Sequence, residues 1–283
     1  MPILIDISQV AISNLMVSPN VHKGQIDPLL IQHMILNSIR SYKQKFGNEF
    51  GDIVICCDSK HYWRKDIFPY YKARRKKDRE KSTLDWSEIF SVINKMKNDL
   101  KEFFPYKVIE VYGAEGDDVI ATLCKNLPPT EPILIVGSDK DYAQLHKFPN
   151  VRQYSSKKKS YIKIDNPIEE LNTLVITGDE GDGIPNIKSS SDSFVAGKRQ
   201  SSIMKSNLEK WKKLEPQHFC ENRTMLENYK RNKELIDFDF IPADLQDNIM
   251  KEYQNLPKGN KTMVMNYFIA NKMRNLMEDL NQF

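Results

Sequence analysis

The stretch Gly113–Cys124, "GAEGDDVIATLC", places three carboxylates, Glu115, Asp117 and Asp118, directly before an apolar run. Acids at the start of a helix accept hydrogen bonds from free amides and suit the helix dipole, each contributing roughly 0.3–1 kcal/mol. One or two acids would be explained in this way, whereas three exceed what capping needs. The excess raises the question whether other segments bring acids to the same place.

Three short apolar runs elsewhere in the chain also lead into acids. The run in "PILID" ends on Asp6, the run in "DIVICCD" ends on Asp58, and "PILIVGSDKD" ends on Asp139 and Asp141. Each run is rich in Ile, Leu, Val or Cys and is bounded by turn-forming residues, which is typical of a strand buried on both faces. The acids therefore fall where the predicted strands end.

Helical patterns at 27–45 and 83–104 alternate with these strands, which predicts an α/β fold with a mostly parallel central sheet flanked by helices. In such sheets the ligand crevice lies at the carboxyl ends of the strands. A further segment, "ITGDEGDGIPN", adds acids after the apolar stretch 171–176. The predicted cluster comprises Asp6, Asp58, Glu115, Asp117, Asp118, Asp139, Asp141, Asp179 and Asp182.

Nine ionised carboxylates at one sheet edge would repel one another by about 1–4 kcal/mol for each close pair. Divalent cations would remove that cost. Oxygen ligands without His or Cys nearby favour Mg²⁺ or Mn²⁺ over Zn²⁺. The sequence therefore predicts two Mg²⁺ ions, for which Mn²⁺ can substitute, in a site suited to in-line phosphoryl displacement.

The segment 60–81 is strongly basic, with ten Lys and Arg against three acids, and five aromatic residues are interleaved with them. Basic groups for phosphates and rings for bases are what a surface for single-stranded nucleic acid requires. The alternative is a mobile charged loop with a partly buried aromatic anchor. A smaller basic patch at 155–163 contains Lys158 and is predicted to form a hairpin tip.

Length and composition limit the number of domains and the class of protein. A chain of 283 residues with 40% hydrophobic and 28% charged residues is ordinary for one large or two smaller globular domains. No apolar stretch approaches the roughly 20 residues of a spanning helix, so no membrane association is expected. The four cysteines lack metal-ligand or disulfide spacing, which favours a reducing cytoplasm.

In this order and spacing, the motifs resemble the structure-specific 5' nucleases, a family that includes flap endonucleases and the 5' nuclease domains of bacterial polymerases. The similarity covers nearly the whole chain and extends to the phage-encoded ribonuclease H subgroup. The matching stretches include "LIDISQVAIS" (4–13), "YWRKDIFPYYKARRKK" (62–77), "EGDD" (115–118), "SDKDYAQLHKFPNV" (138–151) and "GDEGD" (178–182).

The resemblance implies roles for the acids. It places Asp6, Asp58, Asp117 and Asp139 near the first metal, with Asp117 and Asp139 counted as catalytic. It assigns Asp141, Asp179 and Asp182 to the second metal, and Glu115 and Asp118 either to ligation or to orienting the ligands.

It also implies roles for basic residues, through an Arg followed by a YKxxR pattern. Lys72 and Arg75 are expected at the scissile phosphate, and Arg64 is expected either there or bracing the base of the basic segment. The implied nucleic-acid-binding residues are Arg64, Tyr71, Lys72, Arg74, Arg75, Lys76, Lys77, Lys158, Lys198 and Arg199.

The resemblance implies a Mg²⁺-dependent 5' to 3' exonuclease and flap endonuclease that removes RNA primers from RNA:DNA and DNA:DNA duplexes during phage lagging-strand replication. The basic segment 60–81 would form an arch over the 5' strand. Residues 1–175 are expected to form the α/β nuclease domain and residues 176–283 a helical DNA-binding domain. We expect a monomer in the host cell cytoplasm, with the phage single-strand-binding protein and sliding clamp as candidate partners.

Two other functions share some of these features. A PIN-type single-strand endoribonuclease would have a similar acid-rich sheet but needs fewer acids and no long basic segment. A non-catalytic module that binds replication forks would keep the basic segment but would tolerate the loss of acids, whereas all nine are present here.

Overall fold

The structure, a computed structural model, describes residues 1–17 and 26–283. Its centre is a six-stranded sheet with the order β3-β2-β1-β4-β5-β6, in which every adjacent pair is parallel except β5 and β6. The strands are β1 (Pro2–Asp6), β2 (Asp52–Cys56), β3 (Lys107–Ile109), β4 (Ile133–Val136), β5 (Val151–Ser155) and β6 (Ser160–Ile162). This confirms the predicted fold class.

Helices surround the sheet and continue to the end of the chain. They are α1 (Ile7–Val17), α2 (Pro28–Phe50), α3 (Trp63–Ile67), α4 (Ala73–Glu80), α5 (Trp86–Phe103), α6 (Gly116–Asn126), α7 (Pro167–Thr177), α8 (Lys205–Trp211), α9 (Arg223–Ile236), α10 (Ala243–Gln254), α11 (Lys261–Ala270) and α12 (Arg274–Met277). No helix of the described residues is both long and apolar enough to cross a membrane.

Alternation along β1 divides the core between the two faces of the sheet. Ile3 and Ile5 point into a core built with α1, α2, α5, α11 and α12, whereas Leu4 points into a second core with α6 and α10. Because both faces are covered, the strands are continuously apolar, as the sequence indicated. The sheet is thereby held rigidly, with its carboxyl edge free to carry polar residues.

The C-terminal region is helical, as predicted, but its helices do not all pack together. A third core joins α7, α8 and α9 to the turn that separates α3 from α4. Helices α10, α11 and α12 pack instead on the two faces of the sheet. The division at residues 175 and 176 falls inside α7 and stays a prediction.

The apolar stretch 171–176 differs from the predicted strand exits. It is the C-terminal half of α7, in which Val175 and Ile176 are buried, and the helix begins with Asn166 as its N-cap and Pro167 in its first turn. A short, largely apolar stretch fits a helix as well as a strand, so the pattern alone did not separate the two. Asp179 and Asp182 reach the site from the end of this helix.

Candidate active site

The carboxyl edge of the sheet opens into a cleft with a volume of about 910 Å³, and seven of the nine predicted acids line it. Parallel strands deliver three of them, since Asp6 ends β1 and Asp58 and Asp139 closely follow β2 and β4. The other four come from the first turn of α6, from the start of the 3₁₀ helix after β4, and from the loop after α7. The seven are Asp6, Asp58, Asp117, Asp139, Asp141, Asp179 and Asp182.

Local hydrogen bonds fix the acids on the β1–β2 side of the cleft. Asp58 accepts from the Gly116 amide at 2.8 Å and from the Ser8 hydroxyl at 2.9 Å, so it joins β2 to α6 and α1. The amide of Gln9 donates to Asp6 at 3.1 Å. These contacts hold the two carboxylates in place at the edge of the cleft.

Three further acids form a compact group on the opposite side. Oxygen atoms of Asp141, Asp179 and Asp182 all lie within 4.8 Å of one another. The buried Oδ1 of Asp141 has no hydrogen-bond partner among the described residues. A set of hard oxygen donors with an unsatisfied buried member fits a divalent cation of the Mg²⁺ or Mn²⁺ type.

The raised pKa values of the cleft acids also favour binding of a divalent cation. Burial and the nearby charge of Asp58 raise the pKa of Asp6 to about 7, and burial with Asp139 raises the pKa of Asp141 to about 8. Burial and Asp139 also hold the pKa of Asp117 well above its usual range. These carboxylates are poorly stabilised as anions by the protein itself, so a cation would bind them with a large electrostatic gain.

Glu115 and Asp118 have a different environment and do not line the cleft. They are 2% and 0% exposed, and they accept hydrogen bonds from Arg64 at 2.9 and 3.0 Å. The Trp63 indole donates to Asp118 at 3.2 Å, and the Tyr71 hydroxyl donates to Glu115 at 2.7 Å. Of the two roles left open by the sequence, their burial under Arg64 favours holding other groups in place over ligating a metal.

Lys72 connects the buried acids to the cleft. Its ammonium group contacts Glu115 and lies 3.7 Å from Asp182, and its left-handed backbone (φ 56°) is unusual for a residue other than glycine. The Lys72 amide donates to the Asp182 carbonyl at 2.8 Å. Gly183, with φ 74°, permits this approach, because a Cβ there would lie 3.0 Å from the Tyr70 carbonyl.

Cations also sit on the second group of acids. Arg75 donates to Asp182 and to the Gly181 carbonyl, and Lys140 lies 3.2 Å from Asp179. Burial alone would raise the pKa of Asp182, but Lys72 and Arg75 hold it below its usual range. Both predicted phosphate-binding cations therefore lie in the cleft beside acids of the cluster.

The structure buries Arg64 and Tyr71, two of the residues expected to contact nucleic acid, and for Arg64 this burial fits the alternative of bracing the base of the basic segment. Each is 3% exposed, and Arg64 also donates to the Leu235 carbonyl at 2.7 Å, which fastens α3 to the end of α9. Trp63 and Phe68 are buried as well. Much of the aromatic content of segment 60–81 is core, and the segment folds as α3, a turn and α4 along one wall of the cleft.

The remaining predicted basic residues lie on the surface. Lys76 is exposed on α4, and Lys158 is exposed in the turn between β5 and β6, where a hairpin tip was predicted. A second cleft of about 670 Å³ runs between α4 and the loop that follows α7. Its lining includes Arg74, Lys77, Lys198 and Arg199.

The sequence interpretation missed Tyr142 and Lys140. The Tyr142 side chain is fully buried and its hydroxyl donates to Asp117, while Lys140 lines the cleft. Both lie within the "SDKDY" motif, so position in the motif was the available signal. Side-chain direction, which sends Tyr142 under Asp117, depends on the fold and not on the spacing.

A cluster of carboxylates at the carboxyl edge of the sheet, with cations in the same cleft, defines a metal-dependent phosphodiesterase of the 5' nuclease class. Residues 3–172 match the family described as "5'-3' exonuclease, N-terminal resolvase-like domain", and residues 167–283 match "T4 RNase H, C terminal". The chain belongs to this nuclease family.

Relatives and solved structures agree with this assignment. The chain is 35% identical to the Ribonuclease H of Enterobacteria phage T4, over 99% of this chain and 95% of that protein. It is 28% identical to the 5'-3' exonuclease of Buchnera aphidicola subsp. Schizaphis graminum, over 84% and 85% of the two chains. A bacteriophage T5 flap endonuclease, solved with DNA and metal ions, shares the fold with a TM-score of 0.66 at 15% identity, covering 89% of this chain and 97% of that one.

Proposed function

We propose that this protein is a Mg²⁺-dependent 5' to 3' exonuclease and flap endonuclease that removes RNA primers from RNA:DNA and DNA:DNA duplexes during phage lagging-strand replication, in the host cell cytoplasm. The observation that carries this proposal is the single cleft that holds seven carboxylates together with Lys72 and Arg75. A polyanionic substrate would be repelled by the acids alone, so both cations and metal ions are needed.

The acids fit two Mg²⁺ ions, which Mn²⁺ can replace. Asp6, Asp58, Asp117 and Asp139 would hold one ion, and Asp141, Asp179 and Asp182 the other. When bound, such ions stabilise charge on the phosphoryl oxygens and lower the pKa of water.

The chain's own cations act on the same phosphate. Lys72 and Arg75 are positioned to donate to the oxygen atoms on which negative charge develops. Glu115 holds the Lys72 ammonium group, and Tyr142 holds the Asp117 carboxylate. Both groups therefore need little reorganisation when substrate arrives.

Cleavage assays on 5'-flap, nicked and RNA:DNA hybrid substrates test this function. The wild-type protein should cut all three with Mg²⁺ or Mn²⁺ and none with EDTA, whereas Asp139→Asn should bind but not cut. Asp247→Asn removes an exposed acid of α10 outside the cleft and should cut normally. Full activity of Asp139→Asn would refute the metal assignment, and preferential cleavage of unstructured RNA would favour a PIN-type endoribonuclease.

The protein-level partners follow from the resemblance. We propose a monomer that works beside the phage single-strand-binding protein and sliding clamp. Light scattering of the purified protein tests the monomer, and co-sedimentation with each purified partner tests the interactions.

A further inference from the structure

Tyr112, which is exposed, and the half-buried His61 form an aromatic pair beside the cleft that the predicted site does not include. Their rings are stacked, with centroids 5.5 Å apart and planes inclined by 16°. Tyr112 is 78% exposed, so much of its ring faces solvent. Burial in the core therefore does not account for its position.

The pair is held by the same backbone that positions the acids. The Ser59 amide donates to the Ala114 carbonyl at 3.0 Å, and the Trp63 amide donates to the Gly113 carbonyl at 2.9 Å. Gly113 has φ 93°, a conformation that favours glycine and turns the chain after Tyr112. Segments 59–63 and 112–114 are thus fastened side by side.

The distance from the pair to the catalytic edge is short. His61 follows Asp58 by three residues, and its two chain neighbours, Lys60 and Tyr62, line the cleft. Three residues span at most about 10 Å even when fully extended. The pair therefore lies next to residues that line the cleft, within reach of a strand whose phosphate occupies the acid cluster.

The surroundings fit nucleic acid. Lys60 and Lys65 are exposed and line the adjoining part of the cleft, so cations for phosphates flank the rings. His61 Nε2 lies 2.9 Å from the Asp66 carboxylate, which fixes the plane of the imidazole. A rigid exposed ring with neighbouring lysines is the combination that binds unpaired bases.

We propose that the Tyr112–His61 pair is a stacking platform for a base of the unpaired 5' strand next to the scissile phosphate. Bases within a duplex are covered by their neighbours, so the platform would select single-stranded nucleic acid. This inference rests on the proposed function and adds to it a site for the flap.

The test measures binding of two 5'-flap substrates, one with a normal flap and one with an abasic flap, by fluorescence anisotropy. All proteins carry Asp139→Asn and are measured in Mg²⁺ so that the substrates stay intact. Tyr112→Ala should weaken binding of the normal flap by at least about 5-fold, the lower limit for loss of one stacked base, and should leave the abasic flap unchanged. Tyr112→Phe keeps the ring and should bind like the parent.

Phe240→Ala, which removes an exposed aromatic residue that does not line the cleft, serves as the matched control and should change neither affinity. Equal weakening of both flaps by Tyr112→Ala, or no weakening, would overturn the platform. If the parent binds neither substrate, the proposed function itself fails. The two failures are therefore distinguishable.

Discussion

Asp117 and Asp118 are neighbours in the first turn of α6, yet the fold gives them opposite environments. Asp117 faces the cleft among other carboxylates, and its pKa is raised by burial and by Asp139. Asp118 faces the interior, where Arg64 and the Trp63 indole donate to it. One residue along a helix turns the side chain by about 100°, which is enough to move it from the cleft into the core.

This difference extends to the whole acid cluster. Glu115 and Asp118 are neutralised by protein cations, whereas five acids of the cleft have no Lys, Arg or His nitrogen within 4.0 Å among the residues that the structure describes. These five are Asp6, Asp58, Asp117, Asp139 and Asp141. Position in the sequence therefore does not decide whether an acid is available to a metal ion. That depends on whether a protein cation already pairs with the acid.

Exchanging Asp117 for Asn should produce the largest effect on activity. A ligating carboxylate supports several kcal/mol of transition-state stabilisation, so kcat should fall by about 10³-fold or more. The metal-free protein should be at least as stable as wild type, because one buried like charge is removed. Asp118→Asn is the matched change at the neighbouring position and should lower the unfolding free energy instead. Single-turnover cleavage measures the loss of rate, and urea unfolding measures the change in stability. A tenfold or smaller loss of kcat in Asp117→Asn would contradict the contrast between Asp117 and Asp118.

Replacing Arg64 with Met should destabilise the buried region in which protein cations neutralise Glu115 and Asp118. Glu115 and Asp118 would stay buried without their main cation, which should lower the unfolding free energy by about 3–5 kcal/mol. Urea denaturation measures the loss. Arg223→Met removes a largely exposed arginine that pairs with Glu227 within α9 and should change stability little. Equal losses in the two variants would show that Arg64 is not the structural centre inferred here.

Lys72→Ala tests the residue that touches both regions. Loss of a cation at the phosphate should lower kcat by about 10²- to 10³-fold, while affinity for the flap should fall much less because other basic residues contact the strand. Lys251→Ala removes an exposed lysine of α10 outside the cleft and should leave kcat nearly unchanged. An unchanged rate in Lys72→Ala would mean that the phosphate lies elsewhere in the cleft.

The sequence predicted those residues of the site whose position follows from their neighbours in the chain, and not those whose position depends on distant residues. Asp6, Asp58 and Asp139 were placed correctly at the sheet edge because each follows a short apolar run, and such runs make parallel strands. The fate of Arg64 could not be predicted in this way. It lies in a run of basic residues that gives no preferred face, and its burial depends on Asp118 and on the distant Leu235 carbonyl.

The last prediction is a dependence of stability on pH in the metal-free protein. Asp6 and Asp141 have folded-state pKa values of about 7 and about 8 against 3.8 for the ordinary side chain. The folded protein therefore binds more protons than the unfolded chain, and stability falls as pH rises toward 8. We expect a loss of about 3–4 kcal/mol between pH 6 and pH 8 in EDTA, since each excess proton corresponds to about 1.4 kcal/mol per pH unit and both carboxyls carry an excess proton through much of this range.

Urea denaturation at pH 6, 7 and 8 measures this slope. Asp141→Asn should reduce it, because the neutral amide has no proton to lose, and Asp247→Asn should leave it unchanged. Mg²⁺ should restore stability most at pH 8, where the carboxylates are ionised and bind the cation without releasing protons. A stability that rises with pH in EDTA would mean that protein cations compensate the cleft as they do Glu115 and Asp118, and the contrast between the two regions would disappear.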